Sequence, residues 1–152
     1  MIIKFQISNF KFQKGFTLVE LLIVVAIIGV LSTLLTANFI GVRQRSRDAH
    51  RKSDLRQIQS GLELYRADEG SYPTSSSFPD CGASLTNTDG SSVYIQKIAC
   101  DPSGFSYTYS SNDGTIYSII ACLENSNDSE KDATTDSSCT SITNYSYTLK
   151  NP

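Results

Sequence analysis

One uninterrupted apolar stretch dominates the chain. Between residues 16 and 42 the only charged side chain is Glu20, and residues 21–31 (LLIVVAIIGVL) contain no polar side chain at all. Such a segment is apolar on every side, as a lipid-facing or fully packed helix requires. About 20 residues of this kind cross a bilayer, so 16–42 is long enough to span one with some tilt. Beyond it the period changes. Leu55, Ile58, Leu62 and Tyr65 recur at three- and four-residue steps, which predicts one apolar face of an amphipathic helix over 43–70. Arg51, Lys52, Asp54, Arg56, Glu63, Arg66 and Asp68 fall largely off that stripe. Gly70 with Pro73 three residues later is a stop signal, and no proline precedes it. A single helix over 16–69 would be about 80 Å long.

From residue 71 to residue 152 the chain is rich in Ser, Thr, Asn, Asp, Gly and Tyr. Residues 72–79 read as a loop, and 80–104 as mostly connecting structure with 93–98 as a short ordered piece. Strand patterns follow over 105–110, 115–123 and 145–149, and Asn112-Asp113-Gly114 between the first two is a hairpin signal. These patterns predict an α+β fold: a long N-terminal helix, its first half membrane-spanning, its second half packed on a small three-stranded antiparallel sheet.

The start of the apolar stretch carries the most specific chemistry. Residues 14–20 read Lys-Gly-Phe-Thr-Leu-Val-Glu, after a leader (residues 1–15) whose Lys4, Lys11 and Lys14 favour a cytoplasmic location. A secretory signal is cut after its apolar stretch and loses it, whereas a cut at Gly15 would keep it. An acid at membrane depth costs about 2.5–3.5 kcal/mol on insertion scales, so Glu20 needs a partner. A plain signal anchor with an incidental Glu20 is the competing reading.

The segment from Lys14 to Glu20, with the apolar run after it, resembles the cleavage and methylation motif of type IV pilins and the pseudopilins of type II secretion. The resemblance extends to about Pro73; beyond that only the general layout matches. It implies cleavage between Gly15 and Phe16 by a prepilin peptidase and methyltransferase, N-methylation of Phe16, and an assembly role for Glu20. It also implies polymerisation of 16–42 as a fibre core. The partners implied are the chain itself, related minor pilins, an inner-membrane assembly platform and, before assembly, membrane lipid. The location implied is the inner membrane, single-pass with the N-terminus cytoplasmic and residues 71–152 exported, then a surface or periplasmic filament. A pilus-like filament subunit is the leading expectation, a major-pseudopilin-type secretion subunit the alternative. A monomeric membrane-anchored binding protein is the reading from another class.

Charge separates the two halves. The leader holds three of the 13 basic residues and no acid, leaving ten against 15 acids after cleavage. From residue 71 only Lys97, Lys131 and Lys150 oppose nine acids, so no specific nucleic-acid surface is expected. Arg43, Arg45, Arg47, Arg51 and Lys52 form a basic cluster, open to acids of neighbouring subunits, to lipid headgroups or to solvent. His50, the only histidine, has no second ligand at metal spacing.

The four cysteines, Cys81, Cys100, Cys122 and Cys139, lie in a loop-rich domain expected to be exported, which reads as two disulfides. Three connectivities exist. Cys81–Cys100 with Cys122–Cys139 is favoured because each pair closes one contiguous loop; a zinc site is disfavoured by the lack of a Cys-x-x-Cys pair. Glu124, Asn127, Asp128 and Asp132 cluster oxygens on one loop and are candidate calcium ligands. Lys131 inside the loop, and the missing glycine and terminal glutamate of the helix-loop-helix calcium motif, favour a solvated acidic loop instead. No nucleophile elbow, phosphate loop or paired carboxylates point to an enzyme.

Overall fold

The computed structural model describes residues 15–152 except residues 105, 141 and 144, and the side chains of all of these but residues 36–38. The leader as far as Lys14, and the first residue of the strand expected from 105, lie outside the described residues. The chain divides into two compact units, Met1–Phe39 and Ile40–Pro152. The helix α1, Leu18–Glu69, runs through the boundary between them.

In the first unit, every large apolar side chain from Leu18 to Leu35 is exposed. This part of α1 is long and apolar enough to cross a membrane. Among the described residues nothing buries these side chains, a surface that suits hydrocarbon or another polypeptide.

In the second unit, α1 stops at Glu69 because Gly70 turns left-handed (φ 79°) and its N–H donates to the Arg66 carbonyl at 2.8 Å. That hydrogen bond satisfies one of the carbonyls a helix end leaves open. Among the described residues five strands follow. β1 (Leu85–Thr86) and β2 (Val93–Ile95) form a short antiparallel pair, and β3 (Thr108–Ser110), β4 (Ser118–Cys122) and β5 (Ser146–Lys150) form an antiparallel sheet in the order β3-β4-β5. Pairing sets Tyr109 opposite Ile119, and Ile119 opposite Leu149, so these three share the face toward the core.

Leu55, Ile58 and Leu62 of α1 are buried together with Tyr72, Leu85, Ile95, Ile98, Tyr117, Ile119, Ala121, Leu123 and Tyr147. Full burial of one large apolar side chain is worth about 1.5–3 kcal/mol, so this cluster is what fixes the sheet on the helix. Gly61 allows the closest approach: a Cβ there would lie 2.2 Å from Ile95 Cγ1.

β2 falls within the short ordered piece expected over 93–98, and β1 adds a strand that the reading of 80–104 as mostly connecting structure did not name; together they place Leu85 and Ile95 in the core. Residues 72–79 form the expected loop, and Tyr72 at its start is a core residue: its ring meets Tyr117 edge-on at 4.6 Å, and its hydroxyl donates to Glu63 at 2.8 Å. Asn112-Asp113-Gly114 lies in a longer β3–β4 connection, docked by a 2.8 Å hydrogen bond from the Tyr72 N–H to the Gly114 carbonyl. The strands begin later than the patterns suggested, at Thr108 and Ser118, and Tyr107 and Tyr117 just before them donate hydroxyl hydrogen bonds to Asp54 (2.7 Å) and Glu63 (3.3 Å) on the helix.

Candidate functional site

Two groups of residues carry the chemistry, one at each side of the unit boundary, and each stands on its own. At the start of α1, Gly15, Phe16 and Thr17 lie outside any helix or strand and are exposed, Phe16 to 90%. Thr17 precedes the first helical residue. Its hydroxyl accepts from the Glu20 N–H at 3.2 Å, while Glu20 Oε2 accepts from the Thr17 N–H and from the Thr17 hydroxyl, both at 2.8 Å. This reciprocal arrangement is a capping box, which satisfies donors that the first helical turn leaves open. Thr17 is a residue that sequence reasoning missed. The signal was present as Thr-x-x-Glu ahead of an apolar run.

The second group gathers on α1 from Arg47 to Arg56. Arg51 was expected off the buried stripe, yet it is fully buried, as is Asp48. Both continue the spacing of Leu55, Ile58 and Leu62 one and two turns toward the N-terminus. The Arg51 guanidinium donates from Nε to Asp101 Oδ2 at 2.5 Å, from Nη1 to Asp48 Oδ1 at 2.7 Å, and from Nη2 to Glu124 Oε1 at 2.8 Å. A planar fork of donors suits such multiple carboxylate contacts. Asp48 in turn accepts the backbone N–H groups of Glu124 (2.9 Å) and Asn125 (2.8 Å), closing the start of the acidic loop.

The helix holds that loop from Glu124 to Glu130. Arg47 pairs with Glu124, Lys52 with Asp128 (3.0 Å) and Glu130 (2.7 Å), and Arg56 with Glu130 (3.3 Å). The Arg47 hydrogen bond, reinforced by Arg51 against the opposing effect of burial, lowers the Glu124 carboxyl to about 2. Burial works against the charge on Arg51, but hydrogen bonds from Asp101, Glu124 and Asp48 raise its pKa above the ordinary value. The basic cluster read from the sequence is therefore largely engaged within its own chain, while His50 is exposed.

The four candidate calcium ligands are not brought together as a cation site. Glu124 and Asp128 face Arg47, Arg51 and Lys52, and Asn127 is exposed. Asp132 accepts from the Ser146 hydroxyl at 2.6 Å and the Thr148 hydroxyl at 2.7 Å, and closes the outer edge of β5. Among the described residues no group of three or more His, Cys, Asp or Glu side chains could hold a metal ion. The cysteines form two disulfides, Cys81–Cys100 and Cys122–Cys139.

Comparison with known proteins resolves what the site belongs to. Residues 10–36 match the family model described as the prokaryotic N-terminal methylation motif. Residues 38–138 match that of type II secretion system (T2SS) protein G. The chain belongs to the type II secretion system protein G family. Among its relatives, the type II secretion system core protein G of Escherichia coli K12 is 31% identical over 105 residues, covering 62% of this chain and 70% of that one. The core protein G of Vibrio cholerae O1 is 30% identical over 111 residues, covering 68% and 76%. That of Klebsiella pneumoniae is 31% identical over 102 residues, covering 62% and 72%. No solved structure matches the chain. The boundary between the methylation motif and the protein G match falls near the unit boundary at Phe39.

Proposed function

We propose that the chain is a structural subunit of a pilin-like filament of the type II secretion kind, for which assembly rather than catalysis is the activity. The observation that carries this reading is the conjunction, on one chain, of the methylation motif over 10–36 with the protein G match over 38–138. The exposed apolar helix from Leu18 to Leu35 supports it, since that surface needs lipid first and sister helices afterwards. The relatives' names favour a secretion pseudopilus over a surface pilus.

In this reading the precursor sits in the inner membrane with residues 1–15 cytoplasmic and the outer domain exported. A prepilin peptidase hydrolyses the Gly15–Phe16 bond, which lies in exposed backbone ahead of the helix that a protease can enter. The leader leaves with its three lysines, and Phe16 keeps a free amine for methylation. An assembly platform then brings subunits together, and Glu20 accepts a hydrogen bond from the amine of a neighbouring copy. Thr17 holds Glu20 in its cap until that exchange occurs. The net stabilisation from such a desolvated pair is small, and its larger effect is register, because a misplaced Glu20 stays unpaired in an apolar bundle.

The test is mass spectrometry of the native N-terminus together with deletion of the gene. N-methylated Phe16 and loss of exported enzymes support the reading. A retained Met1 would refute processing, and unimpaired export with long external fibres would shift the assignment to a surface pilus.

A further inference from the structure

We propose that Cys81–Cys100 is a site of thiol–disulfide exchange, and that its opening loosens the grip of the helix on the outer domain through the neighbouring Asp101. The proposal is independent of filament formation. It rests first on the contrast between the two disulfides. Both Cys81 and Cys100 are exposed, whereas Cys139 is fully buried and Cys122 half-buried in β4. Exchange requires an attacking thiolate to reach sulfur, so access separates the two bonds.

It rests second on position. Cys100 is followed directly by Asp101, which is buried and carries the bidentate contact to Arg51. Asp101 also accepts the Ser103 N–H at 2.7 Å, so the segment 100–103 shapes that carboxylate's approach. On the other side of Cys100, two hydrogen bonds of 2.8 Å, from the Gly82 N–H to the Ile98 carbonyl and from the Ile98 N–H to the Ala83 carbonyl, fasten the disulfide loop. The disulfide is thus the last tether before Asp101. Once it is cut, Leu85, Ile95 and Ile98 remain core residues, but residues 99–101 are held from one side only. Arg51 then retains Asp48 and Glu124 and keeps Asp101 less well.

The chemistry balances with an external dithiol as reductant. Its thiolate attacks one sulfur of the pair along the S–S axis, and the other sulfur leaves as a thiolate that takes up a proton. The second thiol of the reductant displaces the protein from the mixed disulfide. Two electrons pass from the dithiol, which becomes a disulfide, to the protein, which gains two thiols.

The experiment uses the processed full-length subunit in detergent micelles, titrated with dithiothreitol, alkylated and mapped by peptide mass spectrometry. Cys81 and Cys100 should become alkylated at a dithiothreitol concentration roughly tenfold lower than Cys122 and Cys139. At that concentration amide hydrogen exchange should quicken over residues 99–103 and 123–125. A C81S/C100S variant should show the same exchange without reductant, and Asp101→Asn should show it at 123–125 while oxidised. Reduction of both bonds together, or of Cys122–Cys139 first, overturns the exchange site. Faster exchange confined to residues 82–98, in the reduced protein or in the C81S/C100S variant, overturns the link to Asp101.

Discussion

Arg51 and Asp101, 50 positions apart in the chain, meet in a bidentate pair with both side chains buried, at 2.5 Å and 3.1 Å. Removing one member of such a pair leaves the other charged without compensation, which costs about 3–5 kcal/mol where no further partner exists. Asp101→Ala should fall at the low end of that range, because Asp48 and Glu124 still face Arg51. Denaturant unfolding of the detergent-solubilised subunit measures it. A loss well under about 1 kcal/mol, the scale of an exposed pair, would show that the pair contributes little.

Glu124 gives the outer domain an acid-sensitive contact. Its folded pKa is depressed to about 2 from the ordinary 4.5, so its contribution is complete above the ordinary value and is lost as pH falls from there through about 2. Thermal midpoints recorded from neutral pH downward should therefore decline across that interval. Glu124→Gln should be less stable at neutral pH and should show a shallower decline. An equal slope in the variant would remove Glu124 from the explanation.

Gly61 should resist even alanine. Added helix propensity favours the change by about 1 kcal/mol, but the new Cβ would sit 2.2 Å and 2.5 Å from Cγ1 and Cδ1 of buried Ile95. Ile95 would have to leave its place in the core, and overpacking of this kind costs about 1–3 kcal/mol. Gly61→Ala is expected to lower the unfolding midpoint, and a raised midpoint would mean that β2 yields without cost.

Divalent cations should leave the acidic loop indifferent. Lys52, Arg47 and Arg51 already occupy the carboxylates of Asp128 and Glu124. Neither a chelator nor millimolar calcium should move the melting temperature, and a clear calcium-dependent rise would contradict the assignment of these carboxylates to the chain's own cations.

Glu20→Ala should insert in the membrane as the parent does while its filaments fail or lose register. Thr17→Ala separates the two roles of the acid: it breaks the cap, whose loss costs on the order of 1 kcal/mol, but leaves Glu20 free to pair. Sheared material viewed by electron microscopy should then show filaments from Thr17→Ala and none from Glu20→Ala. Normal filaments from the latter would defeat the proposed pairing.

The sequence by itself determined the features whose cause is local or strictly periodic. The apolar run around Leu21 to Leu31, the stripe of Leu55, Ile58 and Leu62, the stop at Gly70 and the strands ending near Ser110, Cys122 and Lys150 are all written in neighbouring residues. The methylation motif matched over residues 10–36 is legible for the same reason. Tertiary structure alone decided which charges are interior. Arg51 and Asp48 lie on the apolar face by spacing, but a sequence reader assigns charge to solvent. Only the arrival of Asp101 and Glu124, from loops 50 and more positions away, offsets the cost of burying them. The same long-range closure turned an acidic loop with calcium-like composition into a set of ion pairs with the helix, because a carboxylate's function depends on which cation reaches it, and chain folding sets that distance.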